Sequence, residues 1–140
     1  MEIKKVVVIG SGTMGSGIAA HLCNANIPVT LLDLKTEISE QARDRIHKSK
    51  PPLLLDKSKI NNIKVGNISD DFYEVADADW VVEAVVERID VKHDIYEKIF
   101  KVRKKGAIVS SNTSSIPIKV LSQHLSEEEK KDFCITHFFN

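Results

Sequence analysis

The sequence predicts an α/β fold, a doubly wound and mostly parallel sheet with helices packed against it. Three features predict it: β-branched apolar runs of strand length alternate with helical stretches, a glycine-rich turn joins the first run to the first helix, and no internal repeat interrupts the alternation. At 140 residues the chain fits one domain with one core, and no linker marks a second. Its 42% hydrophobic and 29% charged residues match an ordinary soluble globular protein. Twenty basic residues balance 20 acidic ones, so no electrostatic argument favours nucleic acid or an anionic membrane as a partner.

Residues 3–9 form a β-branched run suited to a strand buried on both faces. Lys4 and Lys5 ahead of Val6 superficially suggest a signal peptide, but the apolar run ends at Gly10, too soon for a signal h-region or a membrane span. Residues 14–25 read as a helix with Ile18, Leu22 and Ala25 on one face, and residues 27–32 as a second strand ending at Asp33. Together these make a βαβ unit, a crossover that is nearly always right-handed. Residues 37–48 are a polar helix stopped by Pro51 and Pro52, residues 53–62 are irregular, and residues 63–65 are a short strand before Gly66. Residues 80–86 are the next buried strand. Residues 89–104 follow as an amphipathic helix with Val91, Ile95, Ile99 and Val102 as its apolar stripe and its lysines on a solvated face. A strand over residues 107–109 is closed by the polar turn 110–115, and Pro117 opens a helix running to about His124. Ser126 and Glu129 have the spacing of a capping box, and residues 133–138 read as a final strand. Cys23 and Cys134 sit in apolar segments without C-x-x-C spacing and read as buried, reduced thiols of a cytoplasmic protein.

The turn after the first strand reads Gly10-Ser11-Gly12-Thr13-Met14-Gly15, a G-x-G-x-x-G between a strand and a helix. That context gives the pattern meaning, since surface loops produce it by chance. Gly10 permits the tight turn, Gly12 lets backbone approach a pyrophosphate, and Gly15 lets the helix pack closely on the strand. Thr13 and Met14 complete the cofactor-binding loop, where free N–H groups meet the positive end of the helix. Asp33 ends the second strand 18 residues after Gly15, placed to accept hydrogen bonds from an adenosine ribose. Its charge repels a 2′-phosphate, so NAD is favoured over NADP, softened by Lys35 nearby. The plain alternative for Asp33 is a turn or helix-entry aspartate. The whole pattern is that of a Rossmann dinucleotide-binding fold.

Four blocks in the second half narrow the reading: Val82-Glu83-Ala84-Val85-Val86-Glu87-Arg88, then Val91-Lys92, then Ser111-Asn112-Thr113-Ser114-Ser115, then His137-Phe138-Phe139-Asn140. In that order they resemble the signature blocks of the 3-hydroxyacyl-CoA dehydrogenases, and the resemblance covers essentially the whole chain. The Pro51–Pro52 region is similar to the long bacterial forms joined to an enoyl-CoA hydratase. The resemblance implies oxidation of L-3-hydroxyacyl-CoA to 3-ketoacyl-CoA in fatty-acid β-oxidation, with hydride passed to NAD. It implies His137 as the base for the 3-hydroxyl proton, a task that suits imidazole near neutral pH. It implies Ser114 at the substrate oxygen, Glu87 and Lys92 near the nicotinamide ribose, and Asn112 and Asn140 at the nicotinamide end. It also implies a homodimer for the full-length enzyme and no metal.

Each residue has a plainer reading. His137 could be a satisfied core histidine on an apolar strand, and Ser114 a turn or cap residue. Glu87 could pair with an exposed lysine, a role that also suits Glu83, and Asn112 and Asn140 could simply end strands. His21, His47, His93 and His124 match no block and read as helix-face residues. The family's histidine is paired with a glutamate about a dozen residues downstream, which has no counterpart before Asn140. The fold is therefore expected to stop before the last part of its sheet and before a helical C-terminal domain, leaving residues 1–140 with little dehydrogenase activity alone. Two accounts of that shortfall stand: a segment of a longer enzyme, or a split-gene product retaining at most nucleotide binding. A third reading keeps the class and changes the substrate, since other β-hydroxyacid dehydrogenases carry a similar loop but use a lysine base.

Overall fold

A computed structural model describes residues 1–139. Six parallel strands form one sheet in the order β3-β2-β1-β4-β5-β6: β1 (Val6–Ile9), β2 (Val29–Asp33), β3 (Ile63–Asn67), β4 (Trp80–Glu83), β5 (Ile108–Ser111) and β6 (Phe133–Ile135). The chain winds outward from β1 to β3, then returns to β4 on the other side of β1. Between β1 and β4 the winding reverses, and it is outside the carboxyl ends of strands at such a point that doubly wound sheets bind ligands.

Alternation along β1 shows why the strand is apolar throughout. Val6 and Val8 face one core with Ile18, Leu22, Leu31 and Ile46, under α1 (Thr13–Asn24) and α2 (Thr36–Lys48). Val7 and Ile9 face the other with Val81, Val109, Ile95 and Ile99, under α4 (Ile89–Val102). A strand covered on both faces can carry apolar side chains at every position.

Local boundaries differ where tertiary contacts decide them. A short helix, α3 (Ile68–Asp71), and a 3-10 turn (Phe72–Asp77) occupy a stretch without a periodic signal, and Asn67 starts them by accepting the Asp70 N–H at 2.7 Å. A further 3-10 turn (Lys57–Asn62) orders part of the segment expected to be irregular, opened by Asp56 accepting from the Ser58 N–H. β4 ends at Glu83 rather than at residue 86: the Ala84 N–H to the Ile9 carbonyl is its last bond to β1, and Val85 then turns its N–H back onto Glu83 Oε2 at 2.9 Å, so the chain leaves the sheet. Ser110 and Ser111 lie in β5, fully buried, and not in a turn. The helix after Pro117 is the single turn α5 (Ile118–Leu121). The capping box forms at α6 (Glu127–Lys130), where Ser126 accepts from Glu129 N and Glu129 accepts from Ser126 N. β6 stops at Ile135, so His137 stands beyond the strand and not within it. Cys23 is buried, while Cys134 is only partly so. No helix among the described residues is long and apolar enough to cross a membrane.

Candidate functional site

The loop between β1 and α1 is held by close backbone contacts. Gly10 has φ of +103°, and a Cβ there would lie 2.3 Å from the Ala84 carbonyl oxygen. A Cβ on Gly15 would lie 1.8 Å from the Gly10 carbonyl oxygen, so helix and turn touch where glycine alone fits. Gly12 is different: a Cβ there would meet nothing within 4 Å. Its freedom is not needed by the protein's own packing, which leaves open space above the loop. α1 starts without a side-chain cap and without an acidic residue in its first turn, so the N–H groups at Thr13 and Met14 remain for an anion.

Asp33 and the loop are one unit. Ser11 donates to Asp33 Oδ2 through both its N–H at 2.8 Å and its hydroxyl at 2.5 Å, while Leu34 N donates to Oδ1 at 2.7 Å. A carboxylate has about four acceptor positions, so capacity remains for a ribose hydroxyl. Ser11 itself is buried, and its carbonyl accepts from Ser16 Oγ at 2.9 Å and from Arg45 at 3.1 Å. Neither Ser11 nor Arg45 carries a motif signal, because their partners lie far away in sequence.

Two cavities flank the loop. The smaller, about 300 Å³, is largely apolar and is lined by Asp33, Leu34, Ile68, Val86 and Val91. The larger, about 530 Å³, brings together Met14, Glu87, Asn112, Ser114 and His137. They share Gly12 and Ala84–Val86, so an elongated ligand crossing Gly12 reaches both. The residues fit a dinucleotide, with an apolar pocket beside a carboxylate, an uncluttered glycine at the helix start, and a polar chamber beyond.

The polar chamber rests on buried charge. Glu83, expected beside an exposed lysine, is fully buried and pairs with Lys92, whose Nζ lies 2.6 Å from Glu83 Oε2. Lys92 is fully buried as well, so the lysines of α4 do not all lie on a solvated face. The Lys92 ammonium also reaches Glu87 Oε1 at 3.0 Å. Glu87 is half-exposed into the chamber and accepts from Thr113 Oγ1 at 2.6 Å and Ser115 Oγ at 3.2 Å. Partial burial raises the Glu87 carboxyl pKa, but the hydrogen bonds from Thr113 and Lys92 outweigh it and hold the group below the usual range. The sequence pattern misses Glu83. A carboxylate inside an apolar strand, with Lys92 and Tyr96 four residues apart on one helix face, is the signal that points to it.

The remaining predicted residues surround the chamber unevenly. Ser114 is exposed on the turn after β5. Asn112, read as a nicotinamide contact, uses its Oδ1 to accept the Phe138 N–H at 2.9 Å, and so ties the segment bearing His137 to β5. His137 is exposed, with its ring edge-on to Phe139 at 4.8 Å. Asn140 lies outside the described residues. Among the described residues no cluster of three or more His, Cys, Asp or Glu is placed to hold a metal ion.

Comparison with known proteins agrees with this geometry. Residues 5–140 match the family model described as 3-hydroxyacyl-CoA dehydrogenase, NAD binding domain. The chain is 44% identical to a Deinococcus radiodurans protein named "Probable 3-hydroxyacyl-CoA dehydrogenase", with all of the chain aligned to 42% of that protein. It is 37% identical to the fatty acid oxidation complex subunit alpha of Idiomarina loihiensis, with 99% of the chain aligned to 20% of that protein. The chain thus spans less than half the length of these relatives. Among solved structures, the 3-hydroxybutyryl-CoA dehydrogenase of Escherichia coli K12 superposes with a TM-score of 0.87 at 29% identity, over 100% of this chain and 30% of that one. The chain belongs to the 3-hydroxyacyl-CoA dehydrogenase family, as its NAD-binding domain.

Proposed function

We propose that this domain holds NAD for the oxidation of an L-3-hydroxyacyl-CoA to the 3-ketoacyl-CoA in fatty-acid β-oxidation. The observation that carries the reading is the pair of cavities meeting at Gly12, one ending at Asp33 and the other at His137 and Ser114. Asp33 takes the adenosine ribose, and the loop N–H groups of Thr13 and Met14 take the pyrophosphate. Glu87, kept ionised and fixed by Lys92 and Thr113, accepts from the nicotinamide ribose. Bound NAD supplies the hydride acceptor. His137 takes the 3-hydroxyl proton as hydride leaves C3, and Ser114 donates to the substrate oxygen. Asn112 serves by placing the His137 segment, and Asn140 is assigned to the nicotinamide end by its place in the H-F-F-N block. The whole enzyme, by the family pattern, is a cytoplasmic homodimer; the free thiols of Cys23 and Cys134 suit a reducing compartment.

Calorimetric titration of the chain with NADH tests the cofactor half of this reading, and a folded chain that binds no NADH would overturn it. The chemical half is tested by His137→Gln in the longer enzyme carrying this domain. Loss of a general base costs about 100- to 10,000-fold in turnover. A loss of a few-fold would point instead to a lysine base, as in other β-hydroxyacid dehydrogenases.

A further inference from the structure

Glu83 belongs to no part of the assignment above, yet its carboxylate is the most heavily bonded in the domain's interior. It ends β4, fully buried, and takes four donors: Lys92 Nζ at 2.6 Å, Tyr96 OH at 2.5 Å, Ser111 Oγ at 2.7 Å and its neighbour's backbone Val85 N at 2.9 Å. A buried carboxylate without partners costs several kcal/mol or neutralises itself, so this concentration of donors holds the charge where it is.

Two separate routes run from Glu83 to Glu87. The first is ionic: Lys92 lies between the two carboxylates, 2.6 Å from Glu83 and 3.0 Å from Glu87. The second is a hydrogen-bond chain in which Ser111 donates to Glu83, Thr113 N donates to Ser111 Oγ at 3.2 Å, and Thr113 Oγ1 donates to Glu87 at 2.6 Å. The two routes close a ring of five residues drawn from β4, the loop between β4 and α4, α4, β5 and the turn after β5. Glu83, Thr113 and Glu87 all border the chamber, but Glu83 and Thr113 are buried in its wall, and Glu87 is the half-exposed member of the ring. Lys92 is buried behind the chamber wall, and of the two carboxylates it bonds, Glu87 is the one with exposed side-chain surface.

We propose that Glu83 is a positioning residue for the nicotinamide half of the cofactor, setting the Glu87 carboxylate through Lys92 and Thr113 without acting on the adenosine half. The role rests on the cofactor reading above. It separates Glu83 from an ordinary buried ion pair, which would support both halves of the crevice equally.

The test is Glu83→Gln in the full chain, titrated calorimetrically with NADH and with AMP, which occupies the adenosine cavity only. Gln keeps the shape and removes the charge. NADH should weaken on the order of tenfold, the loss of one charge-assisted hydrogen bond, with AMP unchanged within about twofold. In a Glu87→Gln background the same substitution should cost NADH binding nothing further, because both act through one carboxylate. Unchanged NADH binding, equal weakening of NADH and AMP, or additive losses in the double variant would each overturn the role. Should Glu83→Gln not fold, Ser111→Ala decides, since it opens the Thr113 route and leaves the buried charges paired. NADH weakened about threefold with AMP unchanged supports the proposal, and any other pattern overturns it. Failure of the unsubstituted chain to bind NADH would strike the cofactor reading itself, an outcome distinct from Glu83→Gln behaving like the unsubstituted chain.

Discussion

A methyl group added at Gly12 meets nothing within 4 Å, while at Gly15 it would lie 1.8 Å from a carbonyl oxygen. Two glycines of one motif therefore separate folding from binding. Gly12→Ala should keep urea-unfolding stability within about 1 kcal/mol, since it changes only an uncapped N-cap position, yet weaken NADH about tenfold or more by standing where the pyrophosphate rests. Gly15→Ala should cost about 3 kcal/mol or more, because the contact is backbone against backbone and neither side can yield. Equal NADH affinity in Gly12→Ala would remove the pyrophosphate from that position. The tight turn at Gly10 and the close packing at Gly15 were legible in the sequence because each follows from local chain geometry. Ser11 and Glu83 were not, because their meaning lies in partners such as Asp33 and Ser111, 22 and 28 residues away, which only the parallel sheet brings alongside. Lys92 was legible in part: its family block marked it as functional, while composition alone placed it on a wet face. Its burial becomes intelligible only once Glu83 and Glu87 are seen on either side of it.

Between elements, the end of the sheet opposite the cofactor crevice is pinned by one carboxylate. Asp79, just before β4, accepts from Lys4 N at 2.8 Å and Lys5 N at 3.1 Å at the start of β1, and pairs with Lys104 beyond α4. The hydrogen bond from Lys104, aided by that from Lys4 N, pulls the Asp79 carboxyl down from its ordinary value to about 2. A depressed carboxylate pKa contributes stability that is complete above the unfolded value, about 3.9, and disappears as pH falls through the folded one. Asp79→Asn should therefore lower the thermal midpoint at pH 7, and the gap to the unsubstituted chain should close as pH falls from about 4 to 2. A gap that persists unchanged at pH 2 would show that the residue matters by shape and not by charge. The elements were read correctly where a pattern repeats within them, as in α1, α2 and α4, and at Ser126, where the capping box is a local signature. Their ends depart from the pattern where groups far away in sequence decide, as after β4, where Val85 N–H leaves the sheet for the Glu83 carboxylate that Lys92, Tyr96 and Ser111 hold in place.

Across the whole molecule, the crevice lies at the carboxyl ends of the strands, at the edge of a sheet that carries one core on each face. One core holds α1 and α2 against one face of the sheet, with Val6, Val8, Leu31 and Val82, and the other holds α4 against the opposite face, with Val7, Ile9, Leu32, Val81 and Val109. The doubly wound class was legible from the alternation of elements, but the strand order follows from crossovers that no local window contains. A ligand spanning Gly12 touches both halves: Asp33 and Leu34 at the end of β2, and Glu87, Asn112 and Ser114 beyond β4 and β5. It should therefore stabilise the fold as a unit. At a hundredfold excess over its dissociation constant, NADH would add about 2.7 kcal/mol, a rise of roughly 6–10 °C in the thermal midpoint of a domain this size. NADPH at the same concentration should shift the midpoint far less, because its 2′-phosphate meets the Asp33 carboxylate, already held in place by Ser11. Asp33→Asn should narrow the difference between the two cofactors, since it removes the repelling charge while keeping an acceptor for Ser11. Equal shifts with NADH and NADPH in the unsubstituted chain would mean that Arg45, bonded to the Ser11 carbonyl beside Asp33, turns to meet the phosphate, and that the domain does not select between the cofactors.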